Sequence, residues 1–313
     1  MKQFRRPLAV GVSALALVGT LSACGGASEQ DQAAAATGSA ALEGVDTLPE
    51  RVDAIAATVP AELRDAGSLT VGTDATMAPK EFLDADGKTF RGFDVDLSHA
   101  IGEVLGLDVE FVNAGFDTLL PGVQNGRYDM VASSAAPTLE REAVVDFVSV
   151  DRSGETLLVR SQDRERIGSL DDLCGLTGAA IKGSLPVEDL TEQSAKCEAG
   201  GQAPVTVNSY PDASAVNLAL SSGRADAALL DTPTSAYQAD RSGGKLMTTG
   251  PIYRAGLEGV FMPKGGGLAQ PVADAVNHLI QTGTYAELLE KWGLPDSAVE
   301  EAFVNPATNG KAE

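Results

Sequence analysis

Apolar and polar residues follow two rhythms along this chain, one of strands and one of helices, and the pair runs through twice. LTVGT (69–73) is a β-branched run that reads as a strand. FDVDLSHAIGEVLG then sets Phe93, Leu97, Ile101, Val104 and Leu105 on one helical face. DVEFV follows as a strand, FDTLLPGVQNG as a helix or helical turn ending at Gly126, and YDMVAS as another strand. After residue 157 the rhythm restarts with SLDDLCG, TGAAIKG, the helical VEDLTEQSAKC, APVTVN, DASAVNLALSSG and ADAALL. GLEGVFMPKG, a helix near 269–282 and the helix TYAELLEKW close the pattern. Alternating strands and helices predict a parallel-rich sheet covered by helices. Two such sets with a late return segment predict two lobes joined by crossing strands, here TLLV and EGVFM.

One stretch occurs in near-duplicate. NGRYDMVASSAAPT (125–138) and SGRADAALLDTPT (222–234) both run Gly-Arg-x-Asp into a short apolar segment, then polar residues and a proline. Each reads as a helix end, a glycine turn, a buried strand and the loop after that strand. Ligands of open α/β sheets sit at the carboxyl ends of strands, so the two loops are expected to form opposite walls of one cleft. Aligning Gly126 with Gly223 sets Ser134 opposite Asp231. Different endings on a repeated scaffold suit a two-sided clamp.

The first residues stand outside this pattern. Lys2, Arg5 and Arg6 precede an apolar run from Leu8 to Leu21, too short for a comfortable membrane span, and LSAC (21–24) follows. That ending resembles a bacterial lipobox, which implies cleavage before Cys24 and a lipid on its sulfur. GGASEQDQAAAATGSAA after it is small, polar and aperiodic, as a flexible tether would be. A short amphipathic helix is expected at 48–58. The remaining cysteines are Cys174 and Cys197; an isolated pair in an exported chain most often forms a disulfide.

Charge narrows the partners. The chain carries a net charge of −21, and without residues 1–23 its 20 basic residues face 44 acidic ones. Nucleic acid and anionic membrane surfaces are poor partners for such a field. His99 and His278 lie in unrelated helices with no ligand-spaced neighbours, GxSxG and Walker patterns are absent, and Gly265–Gly267 lacks the Lys-Ser/Thr of a phosphate loop. No metal or cofactor is expected.

Four stretches together are similar to a known family. VGTDATMAPKEF with GFDVDLSHAIGEVLG, NGRYDMVASSAAPTLERE with VVDF, ADAALLDTP, and GTYAELLEKW resemble the signatures of polar amino-acid-binding proteins of ABC importers. The likeness spans about residues 68–293. It implies an α/β, two-lobed periplasmic-binding-protein fold of type II, two α/β lobes joined by crossing hinge strands. Lobe one would be 68–156 with its return at 257–304, lobe two 157–256, and 305–313 a tail.

Read alone, Arg141 in TLERE suits a solvated surface pair with Glu140 or Glu142. The resemblance makes it the bidentate clamp on a ligand α-carboxylate, for which a planar guanidinium is the best side chain. Asp231 would take the α-ammonium, since Thr232 and Pro233 already provide a helix cap and a first-turn proline. Ser133 and Ser134 match head-group positions, and Asp74 matches the side-chain end of the pocket. Met77 stands where the family usually has an aromatic. Phe116 matches a stacking aromatic and reads equally as a helix-start core residue. Lys182 and Ser184 belong to a loop that touches the carboxylate in the family.

The departures bear on the ligand and leave the fold intact. Met77 and Lys80 replace aromatic residues, Ala136 replaces a Thr or Ser, and Leu185 and Pro186 replace small polar residues. Asp151 and Arg152 replace an aromatic pair near the hinge. The resemblance implies a monomeric non-enzyme, lipid-anchored to the outer face of the cell membrane, passing an amino acid or a derivative to an ABC permease and its ATPase. Two other classes share the fold pattern. One is an exported dehydratase with Glu155 or Lys182 as general acid; the other is a sensor or interaction protein whose cleft has drifted.

Overall fold

The computed structural model describes residues 42–312 of the chain. The signal segment, Cys24 and the first part of the tether lie outside them. Among the described residues no helix is long and apolar enough to cross a membrane.

Helices α1 (Asp53–Ala56) and α2 (Ala61–Ala66) precede β1 (Ser68–Thr73). Three short strands follow, β2 (Thr76–Met77), β3 (Glu81–Leu83) and β4 (Phe90–Arg91), then α3 (Phe93–Leu105), β5 (Asp108–Asn113), α4 (Phe116–Gln124), β6 (Met130–Ala135) and α5 (Leu139–Glu142). The long strand β7 (Val145–Arg160) leads to β8 (Thr177–Ile181), α6 (Leu185–Ala199), β9 (Thr206–Tyr210), α7 (Ala213–Ser221), β10 (Ala227–Asp231) and α8 (Thr232–Arg241). A second long strand, β11 (Leu246–Pro263), returns to α9 (Ala269–Thr282) and α10 (Thr284–Lys291). The helix expected at 48–58 is shorter, confined to α1, and α2 was not foreseen. Val52, Ile55 and Leu63 pack both against the main core.

Eight strands form one sheet in the order β5-β1-β6-β11-β7-β10-β8-β9, and β2, β3 and β4 form a small antiparallel sheet. β1 pairs in parallel with β5 and β6, and β8 pairs in parallel with β9 and β10, as the rhythm of the sequence predicts. β7 and β11 run antiparallel beside each other from Val145↔Pro263 to Arg160↔Leu246. They pass from one lobe to the other and are much longer than the TLLV and EGVFM segments expected to cross. Their register breaks at Thr249/Tyr253, Tyr253/Gly256 and Glu258/Gly259, and Arg254 sits at φ 46, in the left-handed region. Ladder irregularity at that point leaves the lobes joined by a locally weakened ribbon.

Helices cover both faces of each half-sheet. In the first lobe α3, α9 and α10 bury Leu97, Ile101, Val272, Leu279 and Leu288 on one side, while Leu119, Val123, Phe147 and Phe261 close the other. In the second lobe Val216 and Leu220 of α7 pack on one face, and Leu190 and Cys197 of α6 on the other. The duplicated motif occupies equivalent places. Gly126 and Gly223 take φ 70 and φ 77, which glycine adopts without a Cβ penalty, and each turn feeds a strand flanking the crossing pair.

Residues beyond α10 cover an open sheet edge. In the first lobe β7 has β11 on one side only, and the tail lies along the other. Val304 bridges Val148, and Glu142 accepts hydrogen bonds from Ala307 N at 2.9 Å and Thr308 N at 2.6 Å. Covering an unpaired strand removes a template for aggregation.

Cys174 and Cys197 are bonded, with a Cα–Cα distance of 5.5 Å, fastening the loop before β8 to the end of α6. The bridge closes a span of 23 residues, worth about 3 kcal/mol by the chain-entropy relation. A Cys174→Ser/Cys197→Ser variant is expected to lose about that much in urea unfolding. An unchanged midpoint would count against it.

Candidate functional site

The carboxyl ends of β1, β6 and β10 and the middle of β7 and β11 converge on one interior region. β1 ends at Thr73, and the next residue, Asp74, is buried. Its N–H donates to Ser133 Oγ at 3.1 Å, and Thr76 Oγ1 donates to its Oδ1 at 2.8 Å, while Oδ2 is buried without a partner among the described residues. Burial pushes the Asp74 carboxyl up to about 6.

The two serines of the first echo are engaged inside the protein. Ser133 Oγ donates to Glu81 Oε1 at 2.9 Å and Ser134 Oγ to Glu81 Oε2 at 3.4 Å. Ser134 N–H reaches Asp94 Oδ2 at 3.2 Å, and Ser134 takes φ 41, a conformation uncommon outside glycine. Glu81 and Asp94 were not anticipated, although both stand inside the quoted motifs APKEF and GFDVD. Burial raises both carboxyls, Asp94 to about 6.

Arg141 sits where its helix cap places it. Thr138 caps α5, its hydroxyl accepting Arg141 N–H at 3.2 Å. The guanidinium donates from Nη1 to Ala136 O at 2.9 Å and lies 5.9 Å from the centre of the Phe116 ring. Ala136 offers the guanidinium a backbone carbonyl, which any residue there would carry, and has no hydroxyl to add. Among the described residues no carboxylate lies within ion-pair distance of Arg141. Phe116 packs against the apolar clusters of both lobes, so it is at once a core residue and the floor under the guanidinium.

On the opposite wall Asp231 is buried, and here the expectation needs correcting. Thr232 does not cap α8: Asp231 does, its Oδ2 accepting from Thr234 N at 3.4 Å. Thr232 instead donates to Gly154 O at 2.9 Å and meets the Thr156 hydroxyl at 2.7 Å. Asp231 Oδ1 accepts from Ser153 Oγ at 2.6 Å. Burial raises its carboxyl, with Lys80 pulling the other way.

Lys80 is the least expected member. It is 0% exposed, and its ammonium contacts Asp151 at 2.6 Å and Glu258 at 2.7 Å. Those acids are register partners on β7 and β11, so one lysine from the first lobe clasps both crossing strands. Burial works against the ammonium, but the two carboxylates more than offset it and hold its pKa well above the ordinary lysine value.

The other candidates lie nearer the rim. Met77 is buried and packs with the second lobe's Leu158, Ile181 and Val216. Lys182, 64% exposed, pairs with Asp117 at 2.7 Å across the lobes. Ser184 Oγ donates to Ile181 O at 2.7 Å, closing the turn before α6, where Pro186 fits the first helical turn because no donor is needed there. Ala213 N–H donates to Thr76 Oγ1 at 3.1 Å, and Phe82 meets Tyr237 with ring centres 6.5 Å apart. Arg152 is exposed and lines a groove behind the crossing strands. Among the described residues no group of His, Cys, Asp or Glu is arranged to hold a metal. Buried His99, its pKa lowered to about 4 by burial, packs on Phe111.

The arrangement can therefore grip a small molecule with an anionic end at Arg141 and cationic groups among the carboxyls. Known proteins agree with this architecture. The family model described as bacterial extracellular solute-binding proteins, family 3, matches residues 69–295. The chain is 36% identical over 259 residues to the arginine-binding protein ArgT of Corynebacterium glutamicum, covering 82% of this chain and 84% of that protein. It is 28% identical over 233 residues to the L-cystine-binding protein TcyJ of Escherichia coli K12, covering 74% and 84%. Among solved structures, an ancestral arginine-binding protein bound to arginine matches with a TM-score of 0.66 at 31% identity, over 72% of this chain and 98% of that one. An ancestral amino acid-binding protein, a precursor of cyclohexadienyl dehydratase, matches at 0.67 and 31%, over 74% and 97%. With a type II two-lobed fold, a cleft at the carboxyl ends of its strands and a family match across most of its length, the chain belongs to the bacterial extracellular solute-binding proteins, family 3.

Proposed function

We propose that this chain captures an amino acid between its lobes outside the cell and delivers it to an ABC permease, acting as a monomer held at the membrane by a lipid on Cys24. The observation that carries this reading is Arg141, a cleft guanidinium whose one hydrogen bond among the described residues goes to a carbonyl. A carboxylate is its natural partner, because two parallel N–H donors match two oxygens. Asp231 on the far wall then takes the ammonium. Asp74, whose buried Oδ2 has no hydrogen-bond partner among the described residues, would face the side-chain end and favour a ligand with a basic side chain. The name of the arginine-binding relative from Corynebacterium glutamicum supports the same choice.

Capture works by closure, since a ligand bridging two walls favours the state in which both walls reach it. The Lys182–Asp117 pair, the Thr76–Ala213 hydrogen bond and the insertion of Met77 into the second lobe are contacts a closed cleft would make. An enzymatic role is less well supported, because the named relatives are binding proteins.

The test is calorimetric titration of the purified chain, unfolded and refolded to remove carried-over ligand, against the twenty standard amino acids. One-to-one binding is expected, tightest for a basic amino acid, with the ligand recovered unchanged. Silence across the panel would overturn the reading; turnover of the bound compound would replace it with an enzymatic one.

A further inference from the structure

Glu155 on β7 is the register partner of Asp231 on β10. Opposed residues of an antiparallel pair project from the same face, with Cβ atoms about 5 Å apart. Two carboxyl groups from neighbouring strands thus share one face of the sheet, at the point where β7 leaves the first lobe. Asp231 is held by Ser153 and by its cap on α8. Glu155 Oε2 is buried and has no hydrogen-bond partner among the described residues.

The surrounding charges do not neutralise this pair. On β11, Tyr253 is the other register partner of Glu155; its hydroxyl accepts from Leu170 N at 2.9 Å, and burial raises its pKa further. Arg254, next along β11, is taken by Asp189 of α6, with Nε–O distances of 2.8 Å and an Nη2–O distance of 2.6 Å, and Glu188 lies 3.8 Å from its Nη2. The charge of Arg141 on α5 favours the ionised form of Glu155, but among the described residues Arg141 makes no ion pair with it. Lys80 is committed to Asp151 and Glu258. Carboxyls that share one face of neighbouring strands, with no cation paired to either among the described residues, do not both ionise readily. Burial first, then Asp231 and Asp189, pushes Glu155 up to about 8.

We propose that Glu155 and Asp231 form a two-carboxyl acceptor that shares one proton, and that the ligand's ammonium displaces it. This rests on the reading of the cleft as an amino-acid site. Before binding, the proton sits on Glu155 and Asp231 is ionised. The ammonium then donates N–H groups to both carboxylates, and the Glu155 proton leaves for solvent. One positive charge enters and one departs, so the acceptor keeps its net charge. Because a proton is released, affinity rises with pH up to about 8 and flattens above it. Glu155 thereby becomes a ligand-binding residue in its own right.

The experiment is calorimetry with L-arginine, and in parallel the other nineteen amino acids, between pH 6 and 8 in phosphate and in Tris. These buffers differ in ionisation enthalpy, so the apparent heat reports protons released. Wild type is expected to release up to about one proton per ligand, with affinity rising up to about tenfold per pH unit. Glu155→Gln, which copies the shape of the protonated acid, is expected to lose the pH dependence and proton release between pH 7 and 8, leaving only what Asp74, titrating near 6, adds at the acid end. Buffer-independent heats in wild type, or unchanged release in the variant, would overturn the shared proton while leaving the amino-acid reading intact. Absence of binding by every probe would overturn both. Should Glu155→Gln fail to fold, infrared difference spectra of wild type decide: a protonated carboxyl band lost on ligand addition supports the proposal, and its absence overturns it.

Discussion

Arg141→Ala is expected to weaken amino-acid binding by about 2–5 kcal/mol, roughly thirtyfold to several-thousandfold, the range for truncating one partner of a buried charged pair. Much of that loss comes from the ligand carboxylate, which would enter the cleft and find no cation in place of the water it left behind. The fold should survive. The Thr138 cap uses the backbone N–H of residue 141, and among the described residues the guanidinium hydrogen-bonds only to Ala136 O. Calorimetry should therefore show lost affinity at a nearly unchanged melting temperature. Arg141→Lys should fall between, keeping the charge while losing the planar two-pronged geometry. Normal binding by the alanine variant would place the carboxylate elsewhere.

Lys80→Met should act on stability. It leaves Asp151 and Glu258 facing each other across the two crossing strands with no cation between them. Breaking a buried ion pair from one side costs about 3–5 kcal/mol. Much of this is expected back in the triple variant Lys80→Met/Asp151→Asn/Glu258→Gln, because a buried pair replaced by well-packed neutral groups is often nearly neutral in stability. Urea unfolding of both variants measures the difference. A single variant within about 1 kcal/mol of wild type would mean the three charges are not coupled as their distances imply.

These two residues mark what sequence can and cannot disclose. The assignment of Arg141 to a ligand carboxylate came from the resemblance, since read alone it suited a surface pair. Its placement on its helix was legible because it is local, a Thr three residues before it forming the cap. The strand and helix pattern was legible for the same reason, since periodicity is written in neighbouring positions. Lys80 was visible only as a departure from the family. Its partners lie 71 and 178 residues away, and no periodicity reports a contact across that separation. Glu81 and Asp94 stood in motifs already quoted, but their engagement of Ser133 and Ser134 depends on how β3, α3 and β6 meet. Asp231 was read as spare because the next two residues looked like a sufficient cap; one turn of backbone geometry decided otherwise. Lys182 was placed at the ligand by its loop, and the structure shows it 2.7 Å from Asp117.

The order in which the lobes are stitched has a consequence for synthesis. The buried apolar core of the second lobe draws almost wholly on one continuous stretch, from Leu157 to Leu246, with Met77 added and Phe116 and Tyr253 packed against it. The first lobe's main core joins residues as far apart as Leu42 and Ala302. A chain emerging from the ribosome can assemble the second lobe while the first is still missing α9, α10 and the strip that covers β7. The first lobe must stay open until nearly the last residue has appeared. The larger core therefore sets last, once Ala302 and its neighbours have been made.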